Sequence, residues 1–505
     1  MTLIQPVLLA HLAESFPEAV AWKNMADGHE LRLGEWHTAS NRLARGMRAL
    51  GLGAGDRVAL AIVPDEPLEW LISYMAIHKA GGVAVPLNTR LSRPELQHIL
   101  RLAGPKVVLT SAGILDDAAT MAPGPAVIAT TGDPGPTGMA WHDLLDPDAS
   151  DIGHPLHADD VADIMYTSGT TGAPKGVVVR HGGLSSNDRV PAAWGGLGFL
   201  TSSPFSTTTG SLLVCGPMRG GMSGWFLPKF DPEHWLRLVE TERPGVAFLV
   251  PAMMQLVVAN PYFERADLSS LSIVSVGSAP IASDTLRRFG SRIPGAEIMC
   301  GYGMTEFGAA TAMPLGDAGR HLGSVGPVLP GVSIRILDDD GRQRETGQVG
   351  QIVISGERPE RAYFNEPEES GRTWKDGWLQ SGDLGYIDAD GYVWVVGRMK
   401  ETIIRGGNNI MPGEVEAALF AHPDVADAAV AGIAHQVLGE DVAAWIVLRP
   451  ASSTSIDGVR SFLLERLADY KVPRRITVVD SLPRNEAGKV LKSRWALDDA
   501  QRSTT

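Results

Sequence analysis

The chain has 505 residues, 44% of them hydrophobic, and this length exceeds what one hydrophobic core usually serves. Lysine and arginine total 44 against 58 aspartates and glutamates, and the formal charge of −14 argues against nucleic acid or an anionic membrane as a partner. Cys215 and Cys300 are too few for a disulfide framework, so a reducing cytoplasm is the expected environment.

The first part of the chain alternates apolar runs with helical patterns. No basic stretch precedes the first apolar run, so residues 1–20 do not resemble a secretory signal. Residues 57–111 have βαβαβ spacing, which predicts a parallel sheet covered by helices. Residues 123–155 are rich in glycine, proline and aspartate, and this composition predicts a surface connection.

A loop of unusual composition follows at residues 166–176, which read YTSGTTGAPKG. Its three glycines permit tight turns, so backbone N–H groups and hydroxyls can point at phosphate oxygens. The loop is not a GxxxxGK[ST] P-loop, because Pro174 takes the place of the second glycine and residues 177–180 predict a strand. A flexible, hydroxyl-rich hairpin is the alternative, although a linker has no need of proline and lysine in its middle.

Residues 244–263 carry no charged side chain and approach the length of a membrane span. Pro251 interrupts this stretch, and Gln255 and Asn260 are polar. A strand at residues 246–250 followed by a short helix at residues 252–259 explains the same pattern. We therefore expect a buried core segment here and no membrane span.

Two short motifs leave predicted strands farther along: VGSAP at residues 276–280 and GYGMTE at residues 301–306. Loops of small residues and a tyrosine at the carboxyl ends of parallel strands can form a nucleotide slot. Neither motif is specific alone, since Tyr302 could be a core aromatic and Glu306 a solvated turn residue.

Residues 331–397 contain short strand patterns with Asp-Gly pairs between them, which predict hairpins in a small β-rich subdomain. We place a domain boundary at residues 398–401. Beyond it, the pattern predicts helices at residues 412–421 and 456–468 with strands between them.

The three motifs, in this order, resemble the adenylate-forming superfamily of acyl-CoA synthetases, luciferases and peptide-synthetase adenylation domains. Three later segments lie where the family pattern has them: SGDLGYID at residues 381–388, GRMKETIIRGGNNIMPGEVE at residues 397–416 and PRNEAGKVLK at residues 483–492. The resemblance covers nearly the whole chain and favours the acyl-CoA ligase branch.

The fold that this resemblance implies is α/β. A large N-terminal domain at residues 1–397 would hold βαβ-type sheets covered by helices and the β-rich subdomain at residues 331–397. A hinge at residues 398–401 would lead to a small, mobile α+β cap domain at residues 402–505. The implied activity is an ATP-dependent ligation in which an acid becomes an acyl adenylate and the acyl group then passes to coenzyme A.

The resemblance also implies a nucleotide site. The triphosphate would be held by a loop that contains Thr167, Ser168, Gly169, Thr170, Thr171, Gly172 and Lys175. The adenine slot would be lined by Gly277, Ala279, Pro280 and Tyr302. Thr305 would touch the α-phosphate, Glu306 would hold Mg²⁺, and Asp383 and Arg398 would bind the ribose, since a carboxylate can accept both hydroxyls of a diol.

The catalytic lysine implied by the family position is Lys489. The reaction brings a carboxylate onto a triphosphate, so a fixed ammonium at the transition state is the group it most needs. Lys400 occupies the hinge position, where relatives often have aspartate. Gly406 and Gly407 would line the tunnel for coenzyme A, because glycine lets another chain pass closely.

The acyl pocket falls in residues 204–225, which hold no acidic side chain. A buried substrate ammonium would lack a partner there, so we do not expect α-amino acids. The predicted lining suits a fatty, aromatic or polycyclic acid and comprises Thr207, Thr208, Gly210, Leu213, Met218, Met222, Ser278 and Met304. Thr207 stands where many relatives have histidine, which leaves chain length and access route open.

Other functions stay open at this point. The acyl group could pass to the pantetheine of a carrier protein, and luciferase-like oxygenation uses the same scaffold. A nucleotide-binding regulator without catalysis is the non-enzyme alternative, although Lys489, Glu306 and Asp383 are all retained. The expected small molecules are ATP, Mg²⁺, coenzyme A and the acid, and a homodimer is left open.

Overall fold

The computed structural model describes residues 3–114, 127–134, 139–167, 174–184, 190–279, 281–317, 319–357, 360–449, 452–484 and 490–492. These residues divide into two compact units. The first unit is drawn from Met1–Lys229, Met304–Gly308 and Arg358–Gly371, and the second from Phe230–Gly303, Ala309–Glu357 and Arg372–Thr505.

The secondary-structure elements are numbered in chain order. The helices are α1 (Gln5–Ser15), α2 (Leu33–Ala49), α3 (Pro67–Lys79), α4 (Arg93–Ala103), α5 (Thr208–Leu213), α6 (Pro232–Glu242), α7 (Pro251–Ala259), α8 (Ser283–Ser291), α9 (Pro367–Thr373), α10 (Pro412–Phe420) and α11 (Ile456–Leu464). The strands are β1 (Val20–Asn24), β2 (Glu30–Arg32), β3 (Arg57–Ala61), β4 (Val83–Pro86), β5 (Val107–Ser111), β6 (Val127–Thr131), β7 (Met139–Ala140), β8 (Val161–Thr167), β9 (Lys175–Arg180), β10 (Leu197–Thr201), β11 (Met222–Phe226), β12 (Val246–Leu249), β13 (Ile273–Val276), β14 (Glu297–Met304), β15 (Gly308–Ala312), β16 (Val332–Leu337), β17 (Gly350–Gly356), β18 (Trp374–Lys375), β19 (Trp378–Ile387), β20 (Val393–Arg398), β21 (Ile403–Arg405), β22 (Asn408–Ile410), β23 (Val425–His435), β24 (Gly439–Leu448) and β25 (Arg475–Val478).

A seven-stranded sheet in the first unit has the strand order β7-β6-β5-β3-β4-β8-β9. Its strands run parallel, except that β9 pairs antiparallel with β8. The succession β3, α3, β4, α4, β5 confirms the predicted βαβαβ order of residues 57–111. Short runs of valine, leucine and alanine form these strands because buried parallel strands carry apolar side chains on both faces.

Four further strands of the first unit are neighbours in the order β10-β11-β1-β2. Trp22 on β1 is fully buried against Phe205, and its indole N–H donates to the Val214 carbonyl at 3.1 Å. Gly224 on β11 lies opposite Trp22, and a side chain there would come within 2.5 Å of the indole ring. Burial of an aromatic side chain this large contributes about 3 kcal/mol to folding.

A buried polar network lies on β8, the strand that leads to the predicted phosphate loop. The carboxylate of Asp163 accepts hydrogen bonds from the Tyr74 hydroxyl at 2.8 Å and from Nε2 of His78 at 2.9 Å. The ring of His181 packs edge-on against that of His78 at 4.8 Å. Burial, with a smaller effect of His78, lowers the pKa of His181 to about 2, so this imidazole is neutral in the folded protein.

The second unit begins with the parallel neighbours β12, β13 and β14, and β15 lies beside β14. Residues 244–263 form β12 and α7, which confirms the strand-and-helix prediction for the uncharged stretch. Within the residues that the structure describes, no helix is both long and apolar enough to cross a membrane.

The strands β16 to β20 form an antiparallel sheet, as predicted for the β-rich region. Two of its turns run from aspartate to glycine: the N–H of Gly341 donates to the Asp338 carbonyl at 3.0 Å, and that of Gly391 to the Asp388 carbonyl at 3.1 Å. Both glycines have a positive φ, which is the reason these turns require glycine.

The C-terminal part of the second unit is a sheet of order β22-β21-β24-β23, with β25 parallel to β24. Apolar side chains of the strands, α10 and α11 form its core, including Ile403, Val415, Ile446 and Val459. α11 ends at Leu464, four residues earlier than predicted, and a 3₁₀ turn at Asp469–Lys471 follows it.

The prediction that residues 123–155 form only a surface connection was wrong. β6 and β7 lie within this segment, although its composition predicted only a surface connection. Five residues of β6, sequence VIATT, are mostly β-branched and pair with β5 in parallel register, so strand propensity overrides the flanking glycine and proline. The predicted fold class, α/β with a smaller α+β part at the C-terminus, is confirmed. The domain limits at 1–397, 398–401 and 402–505 stay a prediction.

Candidate active site

The predicted phosphate loop joins β8 to β9. Thr167, the last residue of β8, is the direct cross-strand partner of Lys175, the first residue of β9. The antiparallel pairing therefore holds both ends of the loop side by side. Of the residues between them, 168–173 lie outside the described part of the chain, and with them the predicted ligands Ser168, Gly169, Thr170, Thr171 and Gly172.

Lys175 is held by groups from the segment 361–370. Its ammonium pairs with Oε1 of Glu369 at 2.5 Å and lies 5.6 Å from the centre of the Tyr363 ring. The hydroxyl of Tyr363 donates to Oε1 of Glu306 at 2.8 Å. A chain of contacts thus connects the predicted phosphate-binding lysine to the predicted magnesium-binding glutamate.

The segment 361–370 is itself fixed to β9 by backbone hydrogen bonds. The N–H of Val178 donates to the Ala362 carbonyl at 2.9 Å, and that of Phe364 donates to the Gly176 carbonyl at 2.7 Å. These bonds place Tyr363 opposite Val177. The side chain of Tyr363 is therefore positioned by strand-like pairing.

Thr305 lies next to Glu306 and contacts the predicted acyl helix. Its hydroxyl is 2.8 Å from the hydroxyl of Thr208, the first residue of α5. Its carbonyl accepts a hydrogen bond from Nη1 of Arg361 at 2.8 Å, and Nη2 of the same arginine donates to the Gly183 carbonyl at 2.9 Å. Arg361 is only 6% exposed, so this guanidinium is a buried brace for the Thr305 backbone.

Arg361, Tyr363 and Glu369 were not predicted from the sequence. They lie within a segment rich in charge and proline, ERPERAYFNEPEES at residues 357–370, that carries no distinctive spacing. Their partners lie 56 to 194 residues away in the chain. No local pattern points to such contacts; only the fold brings the groups together.

In the second unit, Tyr302, Asp383 and Arg398 form one cluster. Asp383 is 4% exposed, accepts from the Tyr302 hydroxyl at 2.6 Å through Oδ2, and forms an ion pair through Oδ1 with Nε of Arg398 at 3.0 Å. Asp383 and Arg398 are direct partners across β19 and β20. Burial, with the charge of Asp383, raises the pKa of Tyr302 well above its ordinary value, so its hydroxyl stays a donor.

The predicted adenine slot begins beside this cluster. β13 and β14 run parallel with Val276 opposite Cys300, so Gly277 and Ala279 leave β13 where Tyr302 lies on β14. Ser278 has a φ of 77°, a strained value for a residue with a side chain, and such strain concentrates at binding sites. Pro280 lies outside the described residues.

The predicted acyl pocket is built around α5. Thr207 caps this helix, because its hydroxyl oxygen accepts from the Gly210 N–H at 3.0 Å while the hydroxyl donates to the Pro204 carbonyl at 2.8 Å. A Cβ on Gly210 would lie 1.9 Å from the Pro204 carbonyl oxygen, so the close turn requires glycine. Leu213, Met222 and Met304 are half-buried, whereas Met218 is fully buried in the core behind them.

Lys489 lies outside the described residues, which end at Arg484 before it and resume at Val490 after it. Arg484 and Val490 form an antiparallel bridge, and the N–H of Leu491 donates to the Pro483 carbonyl at 2.8 Å. Arg484 also pairs with both carboxylate oxygens of Asp427 at 2.8 and 2.6 Å. Arg484 and Val490, the described residues on either side of 485–489, therefore form a fixed base.

Lys492 connects this base to the predicted hinge. Its ammonium lies 2.8 Å from Oε1 of Glu416 on α10 and 3.4 Å from Oε2 of Glu401. Burial opposes the charged form, but the two carboxylates outweigh it and raise the pKa of Lys492. Glu401 and Lys400 belong to the 3₁₀ turn Met399–Glu401, which separates β20 from β21.

Gly406 and Gly407 form the two-residue loop of the β21–β22 hairpin, between the paired residues Arg405 and Asn408. Their φ values are 56° and 85°. A two-residue turn with positive φ at both positions matches the twist of a hairpin and favours glycine. Turn geometry therefore accounts for both glycines, and their predicted role beside coenzyme A stays a prediction.

Magnesium would need oxygen ligands, and the Glu306 carboxylate supplies them beside Lys175 and Tyr363. Across the described ranges, no three histidine, cysteine, aspartate or glutamate side chains are grouped so as to hold a metal ion. The residues fit an ion that takes one protein carboxylate and completes its shell with phosphate oxygens and water, the arrangement that Mg²⁺ prefers.

Comparison with known proteins shows the family of the chain. Residues 9–364 match the AMP-binding enzyme family, and residues 414–489 match the AMP-binding enzyme C-terminal domain. A feruloyl-CoA synthase from Amycolatopsis sp is 36% identical over 489 residues, which cover 95% of this chain and 96% of that protein. Long-chain-fatty-acid–CoA ligase FadD13 of Mycobacterium tuberculosis is 31% identical over 505 residues and covers 96% of each chain.

A solved structure shares the fold. The crystal structure of the anthranilate CoA ligase AuaEII in complex with anthranoyl-AMP has a TM-score of 0.89, covers 100% of this chain and 99% of its own, and is 24% identical. The chain therefore belongs to the AMP-binding enzyme family, in the acyl-CoA synthetase branch of the adenylate-forming superfamily.

Proposed function

We propose that the chain joins an apolar carboxylic acid to coenzyme A in two steps. In the first, a carboxylate oxygen attacks the α-phosphorus of ATP, the bond to the β-phosphate breaks, and pyrophosphate leaves. In the second, the thiol sulfur attacks the acyl carbon and loses its proton, and AMP leaves with the bonding electrons. AMP-forming ligation of an acid to coenzyme A is the reaction of this branch of the family.

One observation carries the proposal: Thr305 and Glu306, adjacent in the chain, contact both halves of the predicted chemistry. Thr305 meets Thr208 of the acyl helix at 2.8 Å, and Glu306 connects to Lys175 through Tyr363. A substrate carboxylate near Thr208 would thus be close to the phosphates near Lys175. Positioning of two reactants in this way lowers the entropic part of the barrier.

Charge is the main obstacle in the first step, because a carboxylate approaches a polyanion. Lys175 would offset charge on the leaving phosphates, and Lys489 would do so at the α-phosphorus. Mg²⁺ held by Glu306 would supply further neutralisation of the phosphate oxygens when the nucleotide is bound. Thr305 would donate its hydroxyl to the α-phosphate.

The nucleoside would be held by Tyr302, Asp383 and Arg398. The Asp383 carboxylate would accept from the ribose hydroxyls while Arg398 keeps it oriented, and the Tyr302 ring would face adenine beside Gly277 and Ala279. A buried carboxylate fixed by two donors loses little freedom when the sugar binds, which favours tight binding.

We propose the same domain limits that the sequence predicts: residues 1–397, 398–401 and 402–505. Residues 398–401 would act as the hinge around Lys400, and residues 402–505 would present Lys489 for the first step. After adenylation, the same cap would present Gly406 and Gly407 to the pantetheine of coenzyme A.

The proposed substrate is a fatty, aromatic or polycyclic acid, and aromatic acids are the first to test. No aspartate or glutamate occurs in residues 204–225, so the pocket offers no partner to a substrate amine. The feruloyl-CoA synthase relative supports an aryl acid, and the long-chain-fatty-acid–CoA ligase relative supports an alkyl chain.

The test is a panel of acids that includes ferulate, simple benzoates, fatty acids of several lengths and a steroid acid. ATP, Mg²⁺ and each acid would be supplied with coenzyme A or with a pantetheine-bearing carrier protein, and AMP, pyrophosphate and thioester would be measured. Acid-dependent pyrophosphate and acyl-CoA are expected. If turnover is faster with the carrier protein, the carrier and not coenzyme A is the acceptor. If no acid gives acid-dependent pyrophosphate, the proposal is wrong.

Lys489→Ala separates the two steps. It should lower adenylation by about 100-fold or more, because it removes the charge aimed at the transition state, while thioester formation from preformed acyl adenylate is kept. Lys471→Ala, which removes a lysine paired with Glu414 on the surface of the same region, serves as the matched control. Equal loss of both steps in Lys489→Ala would refute this division.

A further inference from the structure

The ammonium of Lys175 already has an anionic partner in the protein. It lies 2.5 Å from Oε1 of Glu369, and the two side chains are only 18% and 26% exposed. Ion pairs that are shielded in this way are screened less by salt than pairs on the surface. Any phosphate that binds Lys175 therefore meets a carboxylate at the same ammonium.

The position of Glu369 does not depend on its side chain alone. Ser370, its neighbour on α9, accepts the N–H of Tyr363 through its hydroxyl at 2.9 Å and donates to the Glu366 carbonyl at 2.8 Å. Tyr363 in turn lies opposite Val177 on β9, the strand that Lys175 begins. Backbone pairing on one side and a side-chain bond on the other thus hold α9 close to Lys175.

A phosphate and a carboxylate both seek the same donors. The lysine ammonium is a compact charge with three N–H groups, so a second anion can approach it while the first remains. The two anions then repel each other at a distance of a few ångströms in a partly buried place. The cost of that repulsion falls on whichever anion arrives, which here is the phosphate.

We propose that Glu369 sets the affinity of this site for the β- and γ-phosphates: it competes with them for Lys175 and thereby weakens the binding of pyrophosphate. The inference rests on the proposed function, in which Lys175 binds the triphosphate of ATP. The competition should weaken the binding of pyrophosphate more than that of ATP, because pyrophosphate has no adenosine part to hold it in the site. Glu369 is therefore a determinant of pyrophosphate release.

The experiment measures the binding of inorganic pyrophosphate, with Mg²⁺ present, to the full chain by isothermal titration calorimetry. Glu369→Gln should bind it about fivefold more tightly than wild type, which is the effect expected from removing one partly exposed ion-pair partner. Glu368→Gln changes the charge by the same amount on the same helix at an exposed position, and its affinity should stay at the wild-type value.

Two further variants complete the design. Lys175→Gln should weaken pyrophosphate binding, and in the double variant Lys175→Gln with Glu369→Gln the gain from the glutamate change should vanish, because the competition needs the lysine. Glu369→Asp keeps the charge but shortens its reach, so it should tighten binding like Glu369→Gln and replaces that variant should the latter unfold.

Each outcome has a separate meaning. Equal affinities in Glu369→Gln and Glu368→Gln would overturn the inference, as would a gain that persists without Lys175. Acid-dependent exchange of labelled pyrophosphate into ATP by the wild type tests the proposed function independently, and its absence would remove that function whatever Glu369 does. Normal exchange with unchanged pyrophosphate binding in Glu369→Gln would remove only the role of Glu369.

Discussion

The hydroxyl of Tyr302 donates to Oδ2 of Asp383 at 2.6 Å, and this bond fixes the carboxylate that is proposed to receive the ribose of ATP. Tyr302 comes from β14 and Asp383 from β19, so two sheets of the second unit meet at this contact. The aromatic ring and the hydroxyl of one residue thereby serve different parts of the nucleoside.

Tyr302→Phe separates these two contributions. The ring remains, but Asp383 loses one of its donors, and a hydrogen bond to a charged group contributes about 1 kcal/mol or more. The KM for ATP should rise roughly fivefold with a smaller change in kcat, measured by acyl-CoA formation at saturating acid. Tyr386→Phe, on the same strand as Asp383, is the control, and equal KM values in both variants would contradict the assignment.

Thr207→Ala should destabilise the chain by about 1 kcal/mol, the usual cost of a lost helix cap, and should raise the KM for the acid because α5 carries Thr208. Thr207→Ser keeps the hydroxyl and should behave as wild type. Thr207→His, which introduces a side chain without a hydroxyl, should lose the cap as the alanine variant does. Thermal unfolding and initial rates check all three, and an alanine variant as stable as wild type would show that the cap is dispensable.

His181 should make the free energy of unfolding depend on pH. Its pKa is lowered by burial, and less by His78, to about 2, while the unfolded chain has the ordinary value near 6.5. Below pH 6.5 the unfolded state binds a proton that the folded state excludes, so the free energy of unfolding falls as the pH drops. Between pH 7 and pH 5 this residue accounts for about 2 kcal/mol.

Urea unfolding at the two pH values tests this assignment. His181→Gln should lose less stability between pH 7 and pH 5 than wild type, whatever its stability at pH 7. His11→Gln, at an exposed position, should keep the wild-type difference. An unchanged difference in His181→Gln would assign the acid sensitivity to other groups.

Lys492→Met should destabilise the chain by about 2 kcal/mol, because it leaves the carboxylates of Glu416 and Glu401 partly buried without their shared cation. Lys471→Met removes an equally exposed lysine whose partner Glu414 is 44% exposed, and it should cost less than about 1 kcal/mol. Urea unfolding compares the two variants. Similar losses would mean that the Lys492 cluster adds nothing beyond a surface pair.

Much of the fold could be predicted from the local pattern of apolar residues and turn residues in the sequence. The order β3 to β5 follows from short apolar runs and helical spacing, and the Asp-Gly turns at Asp338 and Asp388 follow from turn chemistry. β6 was missed because glycine and proline on both sides outweighed its valine and threonine in the composition. α11 was predicted too long because its helical pattern continues to residue 468, whereas the helix ends at Leu464 and a 3₁₀ turn begins at Asp469.

Some residues of the candidate site could be predicted from the sequence and others could not. Lys175, Thr305 and Glu306 stand in motifs that the sequence displays, whereas Glu369 lies 194 residues from Lys175 and belongs to no motif. Such a contact depends on which segment pairs with β9, and side-chain periodicity carries no information on that pairing. Likewise, the capping role of Thr207 could be found only once α5 and the Pro204 carbonyl were placed.

β9 is the last strand of the seven-stranded sheet, and an uncovered terminal strand is a template for association with other chains. Residues 362–364 use the free hydrogen-bonding groups of β9 at Gly176 and Val178. The segment that places Tyr363 and Glu369 therefore also blocks edge-to-edge aggregation. If a proline substitution or proteolysis disrupts this segment, the first effect should be a loss of solubility during storage. Aggregation therefore indicates whether the segment still holds the site together.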